Sequence, residues 1–250
     1  MTELTSQQLT SEINKLIKMI EYFGGWVYGR KLEAIEKQVP IMVNKSIGIN
    51  EKIEAADSMF SELSDEGGER ASFCWWAESA CYRGTISTAV WSNILIDTHR
   101  RGKSGSLLSV FQLSQRIGMF ELAEPQHLMS KSEYLSFLNL PKELKIYRGG
   151  KNMTANKLKY GMSWTTDINQ AAWFADRFVF NNDIPVVIEA IVKKENIFGY
   201  FDYENEVVIR GGKVSKMKVS EIDIKKASAE KVEQNKNNKQ SVMSDLKEAA

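Results

Sequence analysis

The sequence predicts an α+β protein in which a helical N-terminal half precedes a strand-rich C-terminal part. Three observations indicate this fold class. Apolar residues recur every three to four positions through most of residues 1–140, which is the period of an amphipathic helix. After Pro141 the chain changes to short β-branched and apolar runs, which are typical of strands. The 250 residues, 43 % of them hydrophobic and 26 % charged, suffice for one large domain or two small ones.

Residues 1–140 predict a series of helices. The first has Thr5 or Ser6 as its N-terminal cap and stops at the Gly24-Gly25 pair. The helices that follow contain many aromatic residues and methionines, which are expected to pack in a core rather than to bind a cofactor. These helices are predicted over residues 28–38, 49–64, 70–100 with a break at Gly84, and 105–117, followed by a short helix that starts after Ser130 or Ser132.

Residues 141–225 predict a sheet with one helix inserted. Asp167 is a suitable cap for a helix over residues 167–178, because its side chain can accept from free backbone amides of the first turn. Residues 226–250 are polar and rich in Asn and Lys, so we expect a flexible tail or a loose helix there. Strands are predicted over residues 144–148, 162–165, 186–192, 206–210, 213–219 and 222–224.

Composition and charge exclude several function classes. The 33 basic and 32 acidic residues give a net charge of +1, so no overall field indicates a nucleic-acid or membrane partner. Two cysteines and two histidines show no short metal-ligand spacing, and we expect no metal. If Cys74 and Cys81 share a helix, about 10.5 Å separates them, which is too far for a disulfide.

The sequence shows no signal that would direct the protein to a membrane or to export. No run approaches the roughly 20 apolar residues of a membrane-spanning helix, and no targeting signal is recognisable at the first residues. We therefore expect a cytoplasmic protein with no membrane partner, or one that is delivered into a target cell by a route that the sequence does not show.

Three short motifs in the strand-rich part carry the functional signal. Arg148 lies at the end of a predicted strand, before Gly149 and Gly150, where a guanidinium can bind a phosphate or carboxylate in a bidentate manner. Ser163 and Thr165 are two positions apart on the next predicted strand and so face the same side. Glu204 and Glu206 repeat this spacing before Val207. Each motif alone is common, and their order makes the set more specific.

In these three motifs the sequence resembles the mono-ADP-ribosyltransferases of the cholera-toxin-like, Arg-Ser-Glu type, and in particular short bacterial and phage members. That family has an arginine on the first core strand, Ser-x-Ser/Thr on the second and Glu/Gln-x-Glu on a later one. The resemblance covers about residues 140–225 and implies a mixed β-sandwich core over residues 141–225. Residues 1–140 would be part of the transferase fold or a separate helical subdomain.

The resemblance implies NAD⁺ as co-substrate, no metal, and a set of catalytic roles. Glu206 would stabilise the positive charge that develops on the ribose when nicotinamide leaves. Ser163 would orient Glu206, with help from Thr165. Arg148, together with Gly149, would hold a phosphate of the dinucleotide.

The resemblance also implies an acceptor. Glu204 would contact the acceptor and remove its proton, and a glutamate in this position favours arginine in a protein over other acceptors. Phe201 and Tyr203 would contact that target. Phe174 would border the nicotinamide, unless it serves only to pack its helix.

Three alternatives remain open at this stage. Residues 141–250 contain 19 basic and 15 acidic residues, a net charge of +4, which allows an ADP-ribosyltransferase that modifies DNA or RNA. A glycohydrolase that only consumes NAD⁺ is the second alternative. The third is a non-enzymatic interaction module on a degenerate transferase scaffold. In each case the helical half could shape the cleft, bind the bacterial or host target, or dock a neutralising partner.

Overall fold

A computed structural model describes residues 3–64, 68–101, 111–180 and 182–248, with side chains as far as residue 237. The chain forms two compact units, Met1–Ser130 and Lys131–Ala250. The boundary lies ten residues before Pro141, because the helix that follows Ser130 packs against a strand of the second unit. The α+β class is confirmed, with helices in the first unit and a six-stranded sheet in the second.

The described part of the first unit is helical. Thr5 caps its first helix in a capping box with Gln8: the Gln8 amide donates to the Thr5 hydroxyl, and the Thr5 amide donates to the Gln8 side chain at 2.8 Å. The helices are α1 (Ser6–Tyr22), α2 (Arg30–Val43), α3 (Ile49–Glu62), α4 (Glu69–Tyr82), α5 (Thr88–Arg101), α6 (Leu113–Leu122) and α7 (Pro125–Leu128).

The sequence predicted most of these helices correctly. The expected long helix divides into α4 and α5 at Gly84, whose φ of 68° favours glycine. The helix expected over residues 105–117 appears as α6 from Leu113, and residues 102–110 lie outside the described part. The short helix α7 was not expected. The predicted packing in a core is confirmed for Phe73, Trp76 and Trp91, which are fully buried, but not for Trp26, which is 73 % exposed.

The second unit is built around one sheet. Its strands run in the order β4-β5-β2-β1-β3-β6, and every pairing is antiparallel. Its elements are α8 (Lys131–Leu138), β1 (Glu143–Lys151), α9 (Ala155–Leu158), β2 (Ser163–Thr165), α10 (Ile168–Asp176), β3 (Pro185–Lys193), β4 (Ile197–Phe201), β5 (Glu206–Ile209), β6 (Val214–Val219) and α11 (Ile224–Glu248).

The two faces of the sheet bury different residues. On one face a core forms between strand residues such as Ile146, Trp164 and Ile188 and the short helix α9. On the other face α10 packs through small residues that include Ala171 and Ala175. The helix approaches β1 so closely that a Cβ at position 149 would overlap the Ala171 carbonyl oxygen, which explains the glycine.

Three expectations about this unit were wrong. The described strands form a single antiparallel sheet rather than a mixed β-sandwich, because β4 and β6 extend the same sheet at its two ends. The strand β4 was missed. Residues 222–224 do not form a strand, since α11 begins at Ile224.

Of the two alternatives expected for the C-terminal residues, a flexible tail or a loose helix, the described residues form a helix. Residues 226–237 are part of α11, whose first turns pack against α10 and bury Ala227, Ser228 and Lys231. The buried face of α11 is short and consists largely of small side chains, so hydropathy alone did not reveal it.

The end strand β6 is short and basic. Its Ser215, Lys216 and Lys218 are all exposed, and Lys216 has a positive φ of 49°. Its pairing with β3 is irregular between Glu189 and Ile191.

Candidate functional site

The structure brings the three sequence motifs onto adjacent strands in the middle of the sheet. Thr165 of β2 pairs with Tyr147 of β1 on one side and with Glu206 of β5 on the other. Ser163 pairs with Val208 of β5. Residues paired across a ladder lie on the same face, and so do residues two apart on one strand. Ser163, Thr165 and Glu206 therefore share one face of the sheet.

Arg148 lies on the opposite face. It alternates with Tyr147 and shares its side with Gly150, where a Cβ would meet Leu158 of the α9 core. Its guanidinium donates to the main-chain carbonyl of Ser163 and rests against Gly161. This arrangement differs from the expected phosphate contact: the described contacts of Arg148 hold β2 against β1 and leave the face of Glu206 to other residues.

The turn between β4 and β5 presents the acidic motif. A 3₁₀ turn spans Asp202–Glu204, and Asn205 follows in the left-handed conformation with φ 48°. Left-handed backbone is tolerated best by glycine and asparagine. Glu204 and Glu206 are therefore not both in extended backbone, although their spacing in the sequence had suggested that they would be. Glu204 sits on the turn, whereas Glu206 begins the strand, and both are half-buried.

Hydrogen bonds fasten this turn to β2. The Thr165 hydroxyl donates to the Glu204 carbonyl at 2.9 Å, and the Thr166 amide donates to the Asn205 carbonyl at 3.0 Å. Thr165 itself is buried. Thr165, expected to help Ser163 orient Glu206, instead bonds to the main chain of Glu204.

Phe201 and Tyr203 occupy opposite environments. Phe201 is 1 % exposed and packs over Gly199, so it anchors the turn and does not reach a target in this conformation. Tyr203 is 92 % exposed. Of the two aromatics expected to contact an acceptor, only Tyr203 is exposed.

Arg177 is a site residue that the sequence reasoning missed. It follows α10, and its guanidinium lies 4.3 Å from the centroid of the Phe174 ring and 5.0 Å from that of Trp173. Burial lowers the pKa of Arg177, and the charge of Glu204 opposes this shift, so the two groups interact. The spacing Phe-x-x-Arg at the end of a predicted helix, which puts both residues on one face, was the available signal.

The chain past Arg177 exposes apolar side chains. Phe178 has a φ of 58°, a strained value for a bulky residue. Its carbonyl accepts from the Lys151 ammonium, which also pairs with Asp183 at 3.1 Å and lies over the Phe180 ring. Lys151 thus ties this loop to the end of β1.

Comparisons with known proteins give no relative. No family model matches the chain, and no curated protein or solved structure is significantly similar to it. Within the described residues, no group of three or more His, Cys, Asp or Glu side chains could hold a metal ion. None of the described helices is long and apolar enough to cross a membrane. The functional argument therefore rests on the site itself.

Proposed function

We propose that this chain is an NAD⁺-dependent mono-ADP-ribosyltransferase that modifies arginine in an acceptor protein. The observation that supports this most directly is that Ser163, Thr165 and Glu206 share one face of adjacent strands. Glu204 lies beside them, with its main-chain carbonyl hydrogen-bonded to the Thr165 hydroxyl. In the proposed reaction the bond between ribose C1′ and the nicotinamide nitrogen breaks, and neutral nicotinamide leaves with the electron pair. A bond from C1′ to a guanidinium nitrogen forms, and the acceptor loses one proton.

Glu206 has the chemistry that bond cleavage requires. Positive charge develops on the ribose as nicotinamide leaves, and a carboxylate close to that ring stabilises it. Glu206 pairs with Thr165 of β2 on one side and with Phe201 of β4 on the other, so two strands hold it in addition to the turn that precedes it. Ser163 stands two residues from Thr165 on the same face and would hydrogen-bond the carboxylate or a ribose hydroxyl.

Arg177 is better placed than Arg148 to hold the dinucleotide. Its guanidinium interacts with Glu204 and is supported by the Phe174 ring, whereas Arg148 points to the other face. A planar guanidinium binds a diphosphate in a bidentate manner. In this proposal Phe174 supports Arg177 and borders the nicotinamide, Gly149 gives α10 its close approach to the sheet, and Arg148 holds β2 in register.

Glu204 would define the acceptor. A second carboxylate on an accessible turn can pair with the guanidinium of a target arginine and take its proton as the new bond forms. Tyr203, which is exposed on the same turn, would contact the surface of the target.

The proposal is tested by incubating the protein with NAD⁺ carrying a label in its adenylate part, in the presence of cell lysate. We expect label on protein, an arginine adduct by mass spectrometry, and free nicotinamide. Glu206→Gln should lower both nicotinamide release and transfer by about 100-fold, since one group that stabilises transition-state charge is removed. Glu204→Gln should lose transfer and retain hydrolysis.

Glu221→Gln, a charge-neutralising change at an exposed position, is the matched control and should leave both activities unchanged. Label on nucleic acid instead of protein would mean that the acceptor is DNA or RNA and not arginine in a protein. Nicotinamide release without any label would indicate a glycohydrolase. Neither label nor nicotinamide from the wild-type protein would overturn the proposal and favour an interaction module.

A further inference from the structure

We infer that Lys231, on the C-terminal helix α11, is a positioning residue that sets the place of Glu204 through Asp167 and Thr165. This inference rests on the proposed function, because it assigns a role to Lys231 in transfer to the acceptor. It gives α11, a helix whose composition suggested a tail, a part in the candidate site.

A continuous series of bonds joins the three elements. The Lys231 ammonium lies 2.7 Å from Oδ2 of Asp167. The other oxygen of Asp167 accepts from the Asn169 amide at 2.9 Å and so caps α10. The Asp167 amide donates to the Thr165 hydroxyl at 3.0 Å, and that hydroxyl donates to the Glu204 carbonyl at 2.9 Å.

The ion pair is sheltered from solvent. The side chain of Lys231 is 11 % exposed and that of Asp167 is 22 % exposed. A second bond from the Asn169 amide group to Glu230, at 3.2 Å, lies beside it. Charged groups with so little solvent access interact more strongly than surface pairs, and one left without its partner is destabilised. Lys231 therefore fixes Asp167 in one orientation.

Loss of Lys231 should affect Glu204 and spare Glu206. Without the ammonium, Asp167 reorients, and both its cap on α10 and its contact with Thr165 weaken. The turn that carries Glu204 then loses a constraint, whereas Glu206 keeps its ladder with Thr165 and its place in β5. We expect acceptor transfer to fall and cleavage of NAD⁺ to continue.

Three variants of the full chain test this inference. Lys231→Met should lower kcat for transfer about tenfold, the size of effect that small displacements of a reacting group produce. It should change the KM for NAD⁺ and the rate of hydrolysis by less than about threefold, because Glu206 keeps its pairing with Thr165 and the weakened cap lies at the opposite end of α10 from Arg177. Lys231→Arg should restore transfer, because it keeps the charge. Lys225→Met removes an exposed lysine from the same helix and serves as the control.

Hydrogen exchange gives a readout that does not need activity. In Lys231→Met the amides of Thr166, Asp167 and Asn169 should exchange faster than in the wild type and in Lys225→Met. Unchanged exchange at these amides overturns the inference whether or not the protein consumes NAD⁺. If the wild type is active, equal losses of transfer and hydrolysis, or a failure of Lys231→Arg to restore transfer, also overturn it. An inactive wild type with faster exchange in the variant would overturn the proposed function and leave the bonded series confirmed.

Discussion

Phe201 and Tyr203 stand two positions apart near one turn, and their surroundings assign them different tasks. Burial of the Phe201 ring against Gly199 fixes the end of β4 and with it the start of the acidic turn. Tyr203 contributes no comparable burial. At the scale of single residues, the same aromatic chemistry thus serves packing in one position and surface presentation in the other.

Alanine substitutions separate these tasks. Phe201→Ala should lower the free energy of unfolding by about 3–5 kcal/mol, because it leaves a cavity in a closed core. Tyr203→Ala should change it by less than about 0.5 kcal/mol, since the side chain is almost fully exposed. Denaturant unfolding of the two variants measures this. A mild effect of Phe201→Ala would mean that its ring is not packed as the structure has it.

At the scale of elements, the position of α10 depends on small residues. Ala171 and Ala175 of the helix meet Gly149 of β1, where a Cβ would also lie 2.8 Å from the Ala175 amide nitrogen. Since the neighbouring atoms belong to backbone, they can yield only if the whole helix moves. The same helix carries Phe174 and leads into Arg177, so its distance from the sheet also sets the geometry of the candidate site.

Gly149→Ala should therefore destabilise the protein by about 1–3 kcal/mol through overpacking and lower any NAD⁺ turnover. Gly118→Ala is the opposite case, because Gly118 lies inside α6 and, apart from its own helix backbone, no atom of the described residues lies within 4 Å of a new Cβ. It should stabilise the protein by about 0.5–1 kcal/mol through helix propensity. Thermal unfolding distinguishes the two. A neutral Gly149→Ala would contradict the close approach of α10 to β1.

The elements also show what periodicity can and cannot predict. Asp167 and the helix after it were predictable because a cap and an apolar face are local signals. The strand β4 was not, since its five residues are Ile, Gly199 and three aromatics and so show no alternation of apolar and polar side chains. The pairing of the strands could not be predicted either. Alternation of apolar and polar residues predicts the two faces of a strand but not which strands pair, so neither the single sheet nor its strand order could be derived.

The candidate site was predictable only in part, for the same reason. Ser163 and Thr165 were placed together by their spacing alone. The side of the sheet taken by Arg148 depends on its register with β2, and the electrostatic interaction of Arg177 with Glu204 joins residues that are far apart in sequence. Both needed the tertiary structure.

At the scale of the whole molecule, buried acidic groups link stability to pH. Burial raises the pKa of Asp97 from 3.8 to about 6, with Asp57 adding to the shift and Arg101 and Arg100 opposing it. A carboxyl group with a raised pKa in the folded state favours folding while it is protonated. This contribution is complete below about pH 4 and is lost as the pH rises through about 6.

Asp97→Asn should remove that dependence, because the amide does not ionise. Between about pH 4 and 6 the denaturation midpoint of the wild type should fall relative to that of Asp97→Asn as the pH increases. Guanidinium melts at several pH values, followed by tryptophan fluorescence, measure the difference. Parallel midpoints across this range would show that Asp97 does not carry the linkage.

The strand β6 has a consequence for behaviour at high protein concentration. A strand at the end of a sheet offers free backbone donors and acceptors on which a strand of another molecule can grow. Lys216 interrupts the extended backbone there with its positive φ and adds an exposed positive charge, whereas the charge of Lys218 is offset by its ion pair with Glu189. Two copies that approached along this border would bring their Lys216 charges together and meet an irregular backbone, and both features disfavour strand addition. We therefore expect this edge of the sheet to disfavour fibrillar self-association.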